Sequence, residues 1–124
     1  MFNILFLITA ILLVVVDFIY LNIIRSYFEN QVKIVQGSPL QVNFLGLVLC
    51  YVFLIFGLNY FIIKSKKTAY DAFLLGILIY GVFETTNYAL FKKWSIFTVI
   101  LDTLWGGTLF AIVTFIINNL RKLL

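Results

Sequence analysis

Three of the five acidic residues in this chain, Asp17, Glu84 and Asp102, lie inside long apolar runs. A carboxyl group surrounded by hydrocarbon is costly, so by default it marks a functional site. Counting along the chain puts the three at a common depth. Asp17 stands eight residues before Arg25, Glu84 eight before Lys92, and Asp102 seven after Ser95. At a helical rise of ~1.5 Å per residue, each lies roughly 10–12 Å inside the same face of a membrane. Carboxyls gathered in such a layer can carry protons, exchange them as acid and base, or offer oxygens to a hard cation.

Polar and aromatic residues accompany them at helical spacing. Tyr80, Glu84 and Asn87 fall at i, i+4 and i+7, on one face. Asp17 precedes Tyr20 by three positions, and Asp102 precedes Trp105 by three. The spacing predicts an inward-facing pocket lined by Asp17, Tyr20, Tyr80, Glu84, Asn87, Asp102 and Trp105. The second apolar run adds Asn43 from the same side and Tyr51 as a floor.

No lysine, arginine or histidine lies within an apolar run, so the carboxyls have no built-in counter-charge. Desolvation and mutual repulsion then favour keeping at least one of them protonated, and the group would titrate as a coupled set. Either the acids share protons, or an external cation such as Na⁺, Ca²⁺ or Mg²⁺ neutralises Asp17, Glu84 and Asp102 together. The lack of histidine and the single cysteine, Cys50, remove the usual ligands for zinc, copper and haem. A retinal Schiff base needs a lysine inside the bundle. No phosphate-binding loop, dinucleotide fingerprint or nucleophile elbow is present. No organic cofactor is expected, and no catalytic residue can be named. Cys50 reads as a small apolar packing residue.

The elements that position these residues follow from composition. The chain has 124 residues, 64% hydrophobic and 11% charged, against roughly a quarter charged in soluble domains. The polar stretches between apolar runs are too short to be linkers, so one domain is expected. Four spans are predicted, at about 3–24, 39–63, 69–91 and 96–120, each near the ~20 residues that cross a bilayer core. The first has no basic segment before it and no small-residue cleavage site after it, so it reads as a retained helix rather than a signal peptide. Ser38 and Pro39 suggest an N-cap and first helical turn for the second span. Thr68 and Asp71 form a capping-box pattern for the third, and Ser95 can cap the fourth with Trp94 beside it at the interface. Short turns require antiparallel neighbours. The stretch 25–37 extends the first helix or lies along the interface. The fold class is therefore an all-α membrane protein, a four-helix antiparallel bundle.

Small residues spaced by four, Ala72 and Gly76 on the third helix and Thr103, Gly107 and Ala111 on the fourth, supply seams for close packing. The net charge of +4 comes from residues between the runs, which suits lipid headgroups and excludes a nucleic-acid face. Five basic residues on the side of the termini against four on the other favour cytoplasmic termini in a multi-pass protein of the cell membrane.

The motifs resemble a known family. Asp17-Phe-Ile-Tyr-Leu21 resembles its D-x-x-W-L signature, and Tyr80-Gly-Val-Phe-Glu-Thr-Thr-Asn87 is similar to its Y-G-x-Y-D-x-T-N segment. Asp102-Thr-Leu-Trp-Gly106 looks like D-x-x-W-G, and Gly57-Leu-Asn-Tyr-Phe61 fits the end of the second helix. The family is that of the predicted membrane proteins called domain of unknown function 2177, DUF2177. Tyr20 stands where the pattern has tryptophan, and Glu84 where it has aspartate; both keep the chemical type. The resemblance implies four membrane helices and the same acidic signature, and it supplies no activity.

Three functions fit the residues. The first is proton or cation binding or transport, channel- or transporter-like; one copy leaves little room for a pathway, so a homodimer or higher oligomer is expected. The second is a membrane-embedded enzyme or binding protein for a lipid or small apolar molecule, with Glu84 or Asp102 as acid or base. The third is a structural or accessory subunit whose polar layer fixes helix register.

Overall fold

The computed structural model describes residues 3–123. Among them, four helices follow one another: α1 (Ile4–Gln36), α2 (Phe44–Leu58) continued by a π-helical turn (Asn59–Ile63), α3 (Ala69–Leu90) and α4 (Ile96–Leu123). All four are long and apolar enough to cross a membrane. The protein is thus an all-α, multi-pass membrane protein built as a four-helix bundle.

Helix α1 absorbs the stretch after Arg25. Asn3 caps its start by accepting from the Phe6 amide at 2.9 Å, and Gly37 ends it at φ 77°, a left-handed conformation that suits glycine. Thirty-three residues reach about 50 Å, well beyond a ~30 Å hydrocarbon core. The last turns are tied down by Gln31, which is buried. Its Nε2 donates to the Lys93 carbonyl at 3.1 Å, and its Oε1 accepts from the Ser95 amide at 3.1 Å and the Thr98 hydroxyl at 2.9 Å. Tyr27 adds a 2.7 Å hydroxyl–hydroxyl bond to Thr98. The extension of α1 therefore clasps the turn that opens α4, where Ser95 Oγ also accepts from the Phe97 amide.

Helix α2 begins at Phe44, later than the expected start at residue 39. Gln36 Nε2 holds the carbonyls of Ser38 and Pro39, at 3.0 and 2.9 Å, which a helix opening at Pro39 would need for its own amides. Asn43 is the actual N-cap, accepting from the Gly46 amide at 3.0 Å. At its far end, Asn59 Nδ2 donates to the Ile55 carbonyl, and Arg121 Nη2 of α4 takes the Ile63 carbonyl at 2.8 Å. Helix α3 opens with the full Thr68–Asp71 capping box. Cys50 faces outward rather than packing inside.

The tightest helix pair is α3–α4, and glycine makes it possible. A Cβ on Gly76 would lie 2.2 Å from the Gly106 carbonyl oxygen, and one on Gly106 would lie 2.2 Å from the Tyr80 ring. Around this seam Ala72, Leu109, Phe110, Val113 and Ile117 join Leu13 of α1 and Leu54 and Leu58 of α2 in one apolar core. Residues such as Phe53, Leu78 and Phe115 point outward. In water this would be a liability, but in lipid it is the solvated face.

Candidate functional site

Helices α1 and α4 run antiparallel, and their acids and aromatics interlock. Each helix presents an acid with an aromatic residue three positions on: Asp17 with Tyr20, and Asp102 with Trp105. In an antiparallel pair, a step forward on one helix is a step back on the other, so each aromatic meets the opposite acid. The Tyr20 hydroxyl donates to Asp102 Oδ1 at 2.5 Å, and Trp105 Nε1 donates to Asp17 Oδ1 at 2.9 Å. Between these two bonds the rings stack, with centroids 4.4 Å apart and planes 7° from parallel.

Asp17, only 7% exposed, takes a second donor: the Tyr51 hydroxyl of α2 reaches Oδ2 at 2.6 Å. Both of its oxygens thus accept a hydrogen bond from a side chain of a neighbouring helix.

Glu84 is different. It is 0% exposed. Trp94 Nε1 donates to Oε1 at 2.9 Å, but no N–H or O–H reaches Oε2. Its other side-chain neighbours are the carboxyl of Asp102 and the amide of Asn87, one turn along α3. Two ionised carboxyls are both acceptors only, so nothing binds them to each other unless one carries a proton. The arrangement brings two acids into one neighbourhood, with the Tyr20 hydroxyl bonded to Asp102.

The remaining site residues expected from the sequence separate into two groups. Tyr51 joins the network through Asp17. Tyr80 lies against the backbone of Gly106, so its ring serves the α3–α4 seam. Asn43 is exposed and spent on capping α2, and it does not line the acid layer. Gly76 and Gly107 meet across the seam, and Ala72 is fully buried in the core. Ala111 on α4 is half-buried. Thr103 is also half-buried, with its Oγ1 lacking a partner.

A hard-cation site at Asp17, Glu84 and Asp102 is not assembled. Among the described residues no group of three such side chains is placed to hold a metal ion. Asp17 instead spends a bond from each oxygen on Trp105 and Tyr51.

Three contributors escape a reading from sequence. Trp94 reads as an interfacial residue, yet a turn with Lys93 at φ 67° folds its indole back under Glu84. Gly106 belongs to the signature but not to the four-residue spacing. Gln31 is one polar residue among many in a hydrophilic stretch.

The family model described as predicted membrane protein (DUF2177) matches residues 2–118, and the chain belongs to that family. The match takes in both D-x-x-aromatic segments and Glu84. No curated protein and no solved structure shows significant similarity.

Proposed function

We propose that this member of the DUF2177 family is a proton-binding membrane protein, in which Glu84 and Asp102 share a proton inside the bilayer and exchange it during channel- or transporter-like activity. One observation carries the reading: Glu84 is fully buried, its Oε2 has no donor, and the group beside it is another carboxyl. A proton between them supplies the missing hydrogen bond without a counter-charge, which no described lysine or arginine provides at that depth. Tyr20, bonded to Asp102, is the next hydroxyl along a route for that proton. Asp17 has a different part. With both oxygens satisfied, it orients Trp105 and Tyr51 and so fixes how α1, α2 and α4 meet. Because one bundle is narrow for a pathway, the active form is proposed to be a homodimer or higher oligomer.

The test is infrared difference spectroscopy of the protein in lipid nanodiscs, paired with proton-flux measurements in liposomes. The expected result is a carboxylic-acid C=O band at neutral pH that Glu84→Gln abolishes and Asp102→Asn shifts. Proton flux should fall in both variants. A spectrum with no such band, or one indifferent to both substitutions, would overturn the proposal. The structural-subunit reading is favoured for the Asp17 half alone, since that carboxyl has no unmet bond.

A further inference from the structure

The opposite end of the bundle holds a second feature, independent of the acid layer. The start of α1, the π-helical end of α2 and the last turns of α4 enclose a recess of about 400 Å³, within the usual ~300–1,000 Å³ range of ligand pockets. Lys64, Lys66 and Arg121 line it together with Leu5, Phe56 and Ile63. The recess is at the helix ends, where lipid headgroups meet the hydrocarbon.

Among the described residues, none of these three cations is in an ion pair, and the one such pair is Arg25–Glu29, at the far end of the bundle. The carboxylate nearest in sequence, Asp71, is occupied by the Thr68 capping box. Arg121 gives Nη2 to the Ile63 carbonyl and Nη1 to Asn118 Oδ1. That anchors the guanidinium while its other N–H donors remain available. The Lys64 ammonium lies 5.0 Å above the Tyr60 ring, on the rim of the same recess.

We propose that this recess binds an anionic phospholipid. Its phosphate sits among Lys64, Lys66 and Arg121, and the upper part of an acyl chain lies along Leu5, Phe56 and Ile63. Complementary charge selects the headgroup, and the apolar wall distinguishes a lipid from a soluble phosphate. Basic pockets between helices at a membrane face recognise anionic headgroups in this way.

Native mass spectrometry tests it, on the intact protein in mild detergent with equal phosphatidylglycerol and phosphatidylcholine of matched chains. Phosphatidylglycerol should be retained preferentially. Lys64→Gln should reduce that retention about fivefold, and Lys64→Gln with Lys66→Gln by more than about tenfold, at the usual contribution of a basic residue near an anionic surface. The single variant preserves the test should the double variant fold poorly. Lys92→Gln with Lys93→Gln, at the other end, should leave retention unchanged. Three results would overturn the proposal: equal retention of both lipids, an equal loss in the Lys92 and Lys93 control, or full displacement of the lipid by equimolar glycerol phosphate. The first means that charge does not select the lipid, the second means diffuse surface charge, and the third means a site for phosphate alone.

Discussion

Tyr20 and Trp105 stack ring on ring, and each donates its polar hydrogen to the carboxylate that belongs to the other's helix. The exchange needs two conditions. Each helix must place acid and aromatic three residues apart, and the helices must run in opposite directions with one particular register. A shift of one turn would strand two donors and two acceptors in hydrocarbon. The swapped bonds therefore specify the α1–α4 register, in addition to whatever they contribute to stability.

If the exchange acts as a unit, the two halves should not be independent. Tyr20→Phe and Asp102→Asn, made singly and together, are expected to couple by about 0.6–2 kcal/mol, the range found for hydrogen bonds between membrane helices. Trp105→Phe paired with Asp17→Asn should behave likewise. Reversible unfolding in detergent measures the cycle. Strict additivity in both pairs would mean that the register is set elsewhere, by the glycine seam.

That seam makes its own prediction. Gly76→Ala and Gly106→Ala place a methyl within 2.2 Å of the Gly106 carbonyl oxygen and the Tyr80 ring respectively. Each should destabilise the protein by about 1–3 kcal/mol through overpacking. Gly46→Ala, where the nearest atom is 3.7 Å away, should have little effect. Equal tolerance at all three positions would show that α3 and α4 can separate without loss.

A third expectation concerns the overhang of α1. Gln31→Leu keeps the helix but removes two bonds accepted by Oε1 and one donated by Nε2, leaving the Ser95 amide without its partner. The cost should be about 1–3 kcal/mol. Hydrogen exchange should accelerate at residues 93–98 and at the C-terminal turns of α1, and not in the core of α4. Unchanged exchange there would mean that the extension rests on the bundle without holding it.

How much of this was legible before the structure depends on the range of the interaction concerned. Helical spacing alone puts Asp17 with Tyr20 and Asp102 with Trp105 on common faces, because side-chain direction repeats locally. It cannot say which acid each aromatic serves, because that is decided by the antiparallel crossing of residues 88 positions apart. The misplaced start of α2 has a similar origin. Ser38 and Pro39 are good helix-opening residues in isolation, but Gln36, at the end of the previous helix, captures their carbonyls. Asn43, read as a site residue, becomes a cap in consequence. Trp94 was hidden by the left-handed backbone at Lys93, which no local preference of lysine announces.

The acid pair itself can be probed by asking what kind of group Glu84 must be. Glu84→Gln keeps an oxygen for Trp94 Nε1 and places an N–H₂ where the pair would hold its proton, so the amide can donate to Asp102. If a shared proton is the native state, this substitution replaces one donor by another, and stability should change by no more than about 0.5 kcal/mol. Glu84→Leu, similar in bulk, leaves the Trp94 indole without an acceptor and the Asp102 carboxyl with only Tyr20 beside it, and should cost about 1–3 kcal/mol. Thermal unfolding of the three proteins in matched detergent makes the comparison. Should Glu84→Gln prove as damaging as Glu84→Leu, the position would require negative charge rather than a hydrogen-bond donor. A bound cation, and not a proton, would then be the partner that Glu84 and Asp102 await.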